Sequence, residues 1–200
     1  MTKLKKPLII PIVILVASIV LDQATKRLAE TTLLDETFVE RSEHYPACGD
    51  RAEDLKRERF IRSVRINKTV IEGFFDLRYV ENCASAFGMF GKVPEWFRFP
   101  FFVIVSILAV GFVPYLYYKT PAAQRLMLYA LPFVLGGAIG NLIDRMTHRY
   151  VIDFIDWYIV RGETPMLWPT FNIADAAIVI GIGLMLLQMM KKNRGEGASA

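Results

Sequence analysis

Hydrophobic positions in this chain gather into long runs instead of recurring at the three-to-four-residue spacing of an amphipathic helix. Four of these runs approach or reach the ~20 residues that cross ~30 Å of hydrocarbon as a helix. They predict membrane helices at 7–28, 97–118, 126–144 and 171–190. Between the first and second runs the pattern changes twice. Residues 35–68 mix both charge signs, and "GDRAEDLKRERFIRS" reads as an exposed helix or a mobile insert. From Thr69, "TVIEGFFDLRYVEN" places β-prone residues around a glycine and predicts short strands over 69–82, near the membrane surface. "GKVPEWFRFP" then supplies a turn and an aromatic belt at the entry to the second helix. The expected fold is an all-α membrane protein, one integral membrane domain over residues 1–200. It has four transmembrane helices, a small extracytoplasmic β platform and a charged insert.

Charge adds orientation to this picture. The net charge of +4 is compatible with nucleic-acid binding, but the cations form no stripe interleaved with aromatics, so no nucleic-acid partner is expected. Instead Lys3, Lys5 and Lys6 precede the first run, Lys119 and Arg125 fill the gap between the second and third, and Lys191, Lys192 and Arg194 follow the fourth. Those three places share one side of the membrane, and the positive-inside rule makes it the cytoplasm, with both termini there. The long outward segment, about 29–98, holds 13 of the 20 acidic residues and both cysteines, Cys48 and Cys83. In an oxidising compartment these two either pair or stand as free thiols, and spacing does not choose between them. The basic start and first apolar run also describe a secretory signal peptide. "LDQATK", where a small-x-small cleavage site is expected, favours an anchored helix.

Topology then gathers the membrane-region acids. Asp22 lies near the outer end of the first helix, Asn141, Asp144 and Arg145 near that of the third, and Asn172 and Asp175 in the outermost turns of the fourth. Asp153 and Asp156 occupy the connecting loop on the same side. Ionisable groups at the membrane are costly and mark functional sites by default. The plain structural alternative is capping or ion pairing: Asp22 and Lys26 are four apart on one helix, and Asp144 adjoins Arg145. Asp153 and Asp175 differ in sitting among apolar neighbours, "YVIDFI" and "NIADAAIVI", with no adjacent cation. Asp156 competes with Asp153 but reads equally as an interfacial loop residue. Two carboxylates in a poorly hydrated site do not both ionise cheaply, so one holds a proton and the other serves as a base. That is aspartic-protease chemistry. His44 and His148 lack metal-ligand spacing, no serine lies in a nucleophile elbow, and Cys83 has no nearby histidine, so neither a metal nor a cofactor is expected. "GGAIG" reads as a small-residue face for close helix packing.

Five blocks in order, "LDQATK", "YVENCASAFG", "GGAIGNLIDR", "VIDF" and "FNIAD", resemble those of bacterial lipoprotein signal peptidase, also called signal peptidase II. The resemblance spans nearly the whole chain apart from the insert and the tail. It implies an aspartic endopeptidase, monomeric in the bacterial cytoplasmic (inner) membrane, among whose lipids it works at the outer face. Its partners are diacylglyceryl-modified prolipoproteins, cut on the amino side of the modified cysteine. By position in the blocks, Asp153 and Asp175 are the catalytic pair. Asp22, Lys26, Asn82, Gly137, Asn141, Arg145 and Asn172 fall on substrate-contacting or site-shaping positions. Gly73 to Tyr79 resembles the strand platform that cradles substrate.

Two features depart from the family pattern. Cys83-Ala84-Ser85-Ala86-Phe87 stands where Thr-Gly-Ala-Ala-Phe is usual, and the insert is longer. They keep open the alternative of a catalytically altered paralogue that binds prolipoproteins. A carboxylate pathway for ions or protons is a further alternative, but it calls for acids at mid-membrane or on both faces, and the inner halves of these helices carry none.

Overall fold

The computed structural model describes residues 6–33, 61–63, 68–83, 95–161 and 164–197. The four apolar runs form helices α1 (Ile9–Leu33), α2 (Glu95–Lys119), α3 (Arg125–His148) and α4 (Ile173–Gly197). Each is long and apolar enough to cross a membrane, and the chain is a multi-pass membrane protein. Helices of this length extend roughly 37 Å at ~1.5 Å per residue, more than the hydrocarbon thickness. α1 and α3 continue past the ends that their apolar runs predict. Lys26 and Asp144, charged residues in the C-terminal halves of these two helices, are buried within the protein and need not face lipid.

The chain divides into two compact units. The first comprises Met1–Asp22, Val105–Asn141 and Ile173–Ala200. α3 supplies its core, with Leu128, Ala130 and Leu131 buried. Half of the α3 span is buried, against 22% or less of the other three, so the remaining spans turn most of their apolar surface to lipid. Glycines let the helices approach: a Cβ at Gly136 would lie 2.6 Å from Ser18 Cβ, and one at Gly137 would lie 2.3 Å from the Ala174 carbonyl oxygen. "GGAIG" is therefore a packing face. At the C-terminal end of α2, Lys6 Nζ donates to the Tyr117 carbonyl at 3.1 Å and lies 5.5 Å from the Tyr118 ring centre, placing a cation at the helix C-terminus.

The second unit comprises Gln23–Ile104 and Leu142–Asn172, and contains an antiparallel sheet. Its strands are β1 (Ile61–Ser63), β2 (Lys68–Ile71), β3 (Phe75–Asn82), β4 (Val151–Arg161) and β5 (Thr164–Leu167). The order is β1-β3-β4-β5, and β2 pairs with the first half of β3 while β1 pairs with its second half. The strands predicted for 69–82 are thus present. β1 adds a strand within the charged insert, most of which lies outside the described residues. Gly73, at φ 76°, makes the turn into β3, a backbone conformation that glycine adopts without steric cost. Arg149 ends α3 at φ 67°, the left-handed position after a helix that glycine usually fills.

One irregularity in the sheet governs everything that follows. Leu77 opposes Ile155, but Val80 opposes Asp153, so β3 holds one residue more than β4 across this interval. Such a bulge reverses which face the later side chains of the strand occupy. Val80 and Asn82 therefore share the face of Asp153, and Tyr79 and Glu81 take the opposite one.

Candidate active site

Asp153 is buried to 1% exposure near the start of β4, and both of its oxygens are held. Asn82 Nδ2 donates to Oδ2 at 2.7 Å, and Asn172 Nδ2 donates to Oδ1 at 2.6 Å. Asn172, itself fully buried, also reaches the Ile152 carbonyl at 3.2 Å. A carboxylate has only acceptor sites, and two amide donors satisfy it without neutralising it. The bulge is what makes this possible, because an unbroken alternation along β3 would turn Asn82 away.

A second cluster fixes the strand that carries Asp153. Lys26 Nζ and Asp144 Oδ2 form an ion pair at 2.8 Å with both side chains almost fully buried. Gln23 Nε2 donates to Asp144 Oδ1 at 2.9 Å, and the Ile152 amide donates to Asp144 Oδ2 at 3.0 Å. Asp144 thus joins α1, α3 and β4 one residue before Asp153. Gln23 was not singled out in the sequence; its only signal there is its place between Asp22 and Lys26.

Asp156 has a different setting from Asp153. It lies on the opposite face of the sheet, directly across from Asp76, with its Oδ2 3.1 Å from Arg78 Nη2. Thr170 Oγ1 donates to its Oδ1 at 3.2 Å, and Arg78 donates to Thr170 at 3.0 Å. Burial raises the Asp156 carboxyl above its ordinary range, and Arg78 and Thr170 pull the other way. This is a paired acid within the sheet. Arg145 lays its guanidinium over Phe102, 5.4 Å from the ring centre.

In the first unit, Asp175 belongs to the first turn of α4, where a helix favours negative charge. Its Oδ1 accepts from Asn141 Nδ2 on α3 at 2.9 Å. Asp22, fully buried, accepts the Ala174 amide at 2.9 Å and so caps α4 next to Asp175. Gly137 meets the backbone at that same Ala174. Asp22, Gly137 and Asn141 therefore all bear on the first turn of α4.

Of the cysteines, Cys83 is disulfide-bonded. Cys48, the other cysteine of the chain, lies outside the described residues.

These observations define a multi-pass membrane protein in which buried amide donors hold single carboxylates at a strand start and at a helix start. Comparison with known proteins makes the class specific. Residues 14–191 match the family described as Signal peptidase (SPase) II, and the chain belongs to that family of aspartic peptidases. The lipoprotein signal peptidase of Anaeromyxobacter sp. (strain Fw109-5) is 37% identical over 189 residues, covering 92% of this chain and 86% of that protein. The lipoprotein signal peptidase of Geobacter sulfurreducens is 33% identical over 181 residues, covering 90% of this chain and 91% of that protein. A solved structure described as "Bacterial membrane enzyme structure by the in meso method at 2.3 A resolution" is similar with TM-score 0.70 and 25% identity. It covers 96% of this chain and 94% of the solved one.

Proposed function

We propose that the chain removes signal peptides from diacylglyceryl-modified prolipoproteins at the outer face of the bacterial cytoplasmic membrane, with Asp153 and Asp175 as its acid–base pair. Family membership supports the substrate class. The observation that carries the choice of Asp153 is its burial with an amide donor on each oxygen. Hydrogen bonds of this kind favour the charged form of a carboxyl group, which suits Asp153 to act as the base. In this reading Asp153 takes a proton from water as the water oxygen attacks the scissile carbonyl. Asp175, carrying a proton, donates it to the carbonyl oxygen; as the tetrahedral intermediate collapses, Asp153 passes the proton it took from water to the departing amine nitrogen and a hydroxyl of the intermediate returns a proton to Asp175, which restores both groups. Asn82, Asn172 and Asn141 hold the two carboxyl groups, and Asp22, Lys26 and Asp144 hold the backbone beneath them.

The direct test is cleavage of a purified diacylglyceryl prolipoprotein in micelles. Asp153→Asn and Asp175→Asn each abolish turnover and leave the protein folded, because the pair needs one acid and one base. Near-normal turnover by either variant removes that residue from the mechanism. The orientation has its own test: a reporter after Lys192 reads cytoplasmic and one inserted near Glu53 reads periplasmic, with a cytoplasmic signal from the insert overturning the assignment.

A further inference from the structure

Arg78 falls within the bulge of β3, in the interval bounded by Leu77 opposite Ile155 and Val80 opposite Asp153. Its guanidinium reaches across β4 on the face away from Asp153. Nη2 lies 3.1 Å from Asp156 Oδ2 on β4 and donates at 3.0 Å to Oγ1 of Thr170, which stands beyond β4. The Thr170 hydroxyl in turn donates to Asp156 Oδ1 at 3.2 Å, so the three side chains close a ring. Thr170 belongs to the segment that runs along the other edge of β4 into α4. Phe171 and Ile155 exchange both backbone hydrogen bonds there, at 3.0 and 2.9 Å. Asn172 comes next and donates to Asp153 at 2.6 Å. The two amides on Asp153 thus arrive from opposite edges of β4, Asn82 from β3 and Asn172 from the segment that enters α4.

We propose that Arg78 and Thr170 are positioning residues for the base, a clasp across β4 that fixes the Asn172 amide on Asp153. The backbone alone holds this segment sparsely. The Trp168 amide donates to the Trp157 carbonyl at 2.9 Å and the Phe171 amide to Ile155, but Pro169 between them has no amide hydrogen. Thr170 supplies the missing hold through its side chain, two residues before Asn172. A hydroxyl accepts and donates at once, so Thr170 joins the cation and the carboxylate without leaving either of its own bonds unmade. Hydrogen bonds to charged partners are shorter and stronger than neutral ones, and the planar guanidinium holds its direction better than a lysine amine would. Arg78 also has a purely structural use, because Asp76 stands directly opposite Asp156 and like charges so placed repel. That use affects stability alone, whereas the clasp acts on the ionisation of Asp153.

This proposal rests on the reading of Asp153 as catalytic, and the experiment separates the two. Asp153→Asn, Thr170→Val, Thr170→Ser, Arg78→Met and Asn172→Ala are compared in micelles for kcat, KM, pH profile and thermal unfolding. Thr170→Val is the deciding variant, since it keeps the shape of threonine and the Arg78–Asp156 pair but loses both hydroxyl bonds. It lowers kcat about five- to tenfold, the worth of one hydrogen bond, with KM within about twofold of wild type. Its acidic limb moves to higher pH, as expected when an amide donor to the base is loosened. Arg78→Met moves the limb the same way. Thr170→Ser restores the hydroxyl and brings kcat and the limb back toward wild type. In the Asn172→Ala background, Thr170→Val costs less than about twofold, because the contact it serves is already gone. An unmoved acidic limb in folded Thr170→Val overturns the positioning role, as does a full additional loss on top of Asn172→Ala. Activity retained by Asp153→Asn instead overturns the catalytic reading.

Discussion

The Lys26–Asp144 pair gives the sharpest energetic expectation in the molecule. Both side chains are nearly inaccessible, their charged atoms are 2.8 Å apart, and Asp144 also accepts the Ile152 amide and the Gln23 side chain. Lys26→Met removes the cation and leaves a buried carboxylate with neutral donors only. Breaking a buried pair from one side costs ~3–5 kcal/mol, because the remaining charge has lost both water and its partner. For a chain of this size each kcal/mol shifts the unfolding midpoint by ~2–4 °C, so a fall of roughly 6–20 °C is expected. Adding Asp144→Asn in the same protein removes the stranded charge and keeps an acceptor for the Ile152 amide. The double variant therefore recovers a large part of the loss, and that recovery identifies the cause as an uncompensated charge and not lost packing. The assay is thermal unfolding in detergent, followed by tryptophan fluorescence at fixed pH and salt. A midpoint for Lys26→Met within about 2 °C of wild type would refute the reasoning, since a shift that small is less than 1 kcal/mol and typical of an exposed pair.

Gly137→Val places side-chain atoms where a single Cβ would already be 2.3 Å from the Ala174 carbonyl, and the neighbour is backbone that cannot swing aside. Thermal unfolding should show a loss of ~1–3 kcal/mol or more, and cleavage should fall with it because Ala174 adjoins Asp175. Asp156→Asn should keep substantial cleavage activity, measured in the same micelle assay. Its stability relative to wild type should also change with pH, because the folded carboxyl of Asp156 is raised mainly by burial. A folded value above the unfolded one means that wild type loses stability as pH rises between the two and the asparagine variant does not. The difference in unfolding midpoints should therefore move in favour of the variant across that window.

How far the site was legible in the sequence differs from residue to residue, for a physical reason. Asp153 and Asp175 stood out because an acid within an apolar stretch is conspicuous in one dimension, and so did the four spans and the small-residue face of α3. Partners were harder. Local spacing offers Lys26 a carboxylate four residues back and offers Asp144 the adjacent Arg145, whereas the buried ion pair in the second unit joins Lys26 to Asp144 across α1 and α3. Asp156 and Asp153 look alike as letters, and only the strand puts them on opposite faces, one beside Arg78 and the other beside two amides. The bulge was the least visible feature. "FDLRYVEN" read with a period of two aligns Leu77 with Tyr79 and Glu81, and nothing in those eight letters announces an extra residue. Its consequence lies across the sheet, where Val80 comes to stand opposite Asp153 on β4. The hydrogen bond from Asn82 to Asp153 thus joins residues that are not neighbours in sequence, and a pattern with a single period does not contain it.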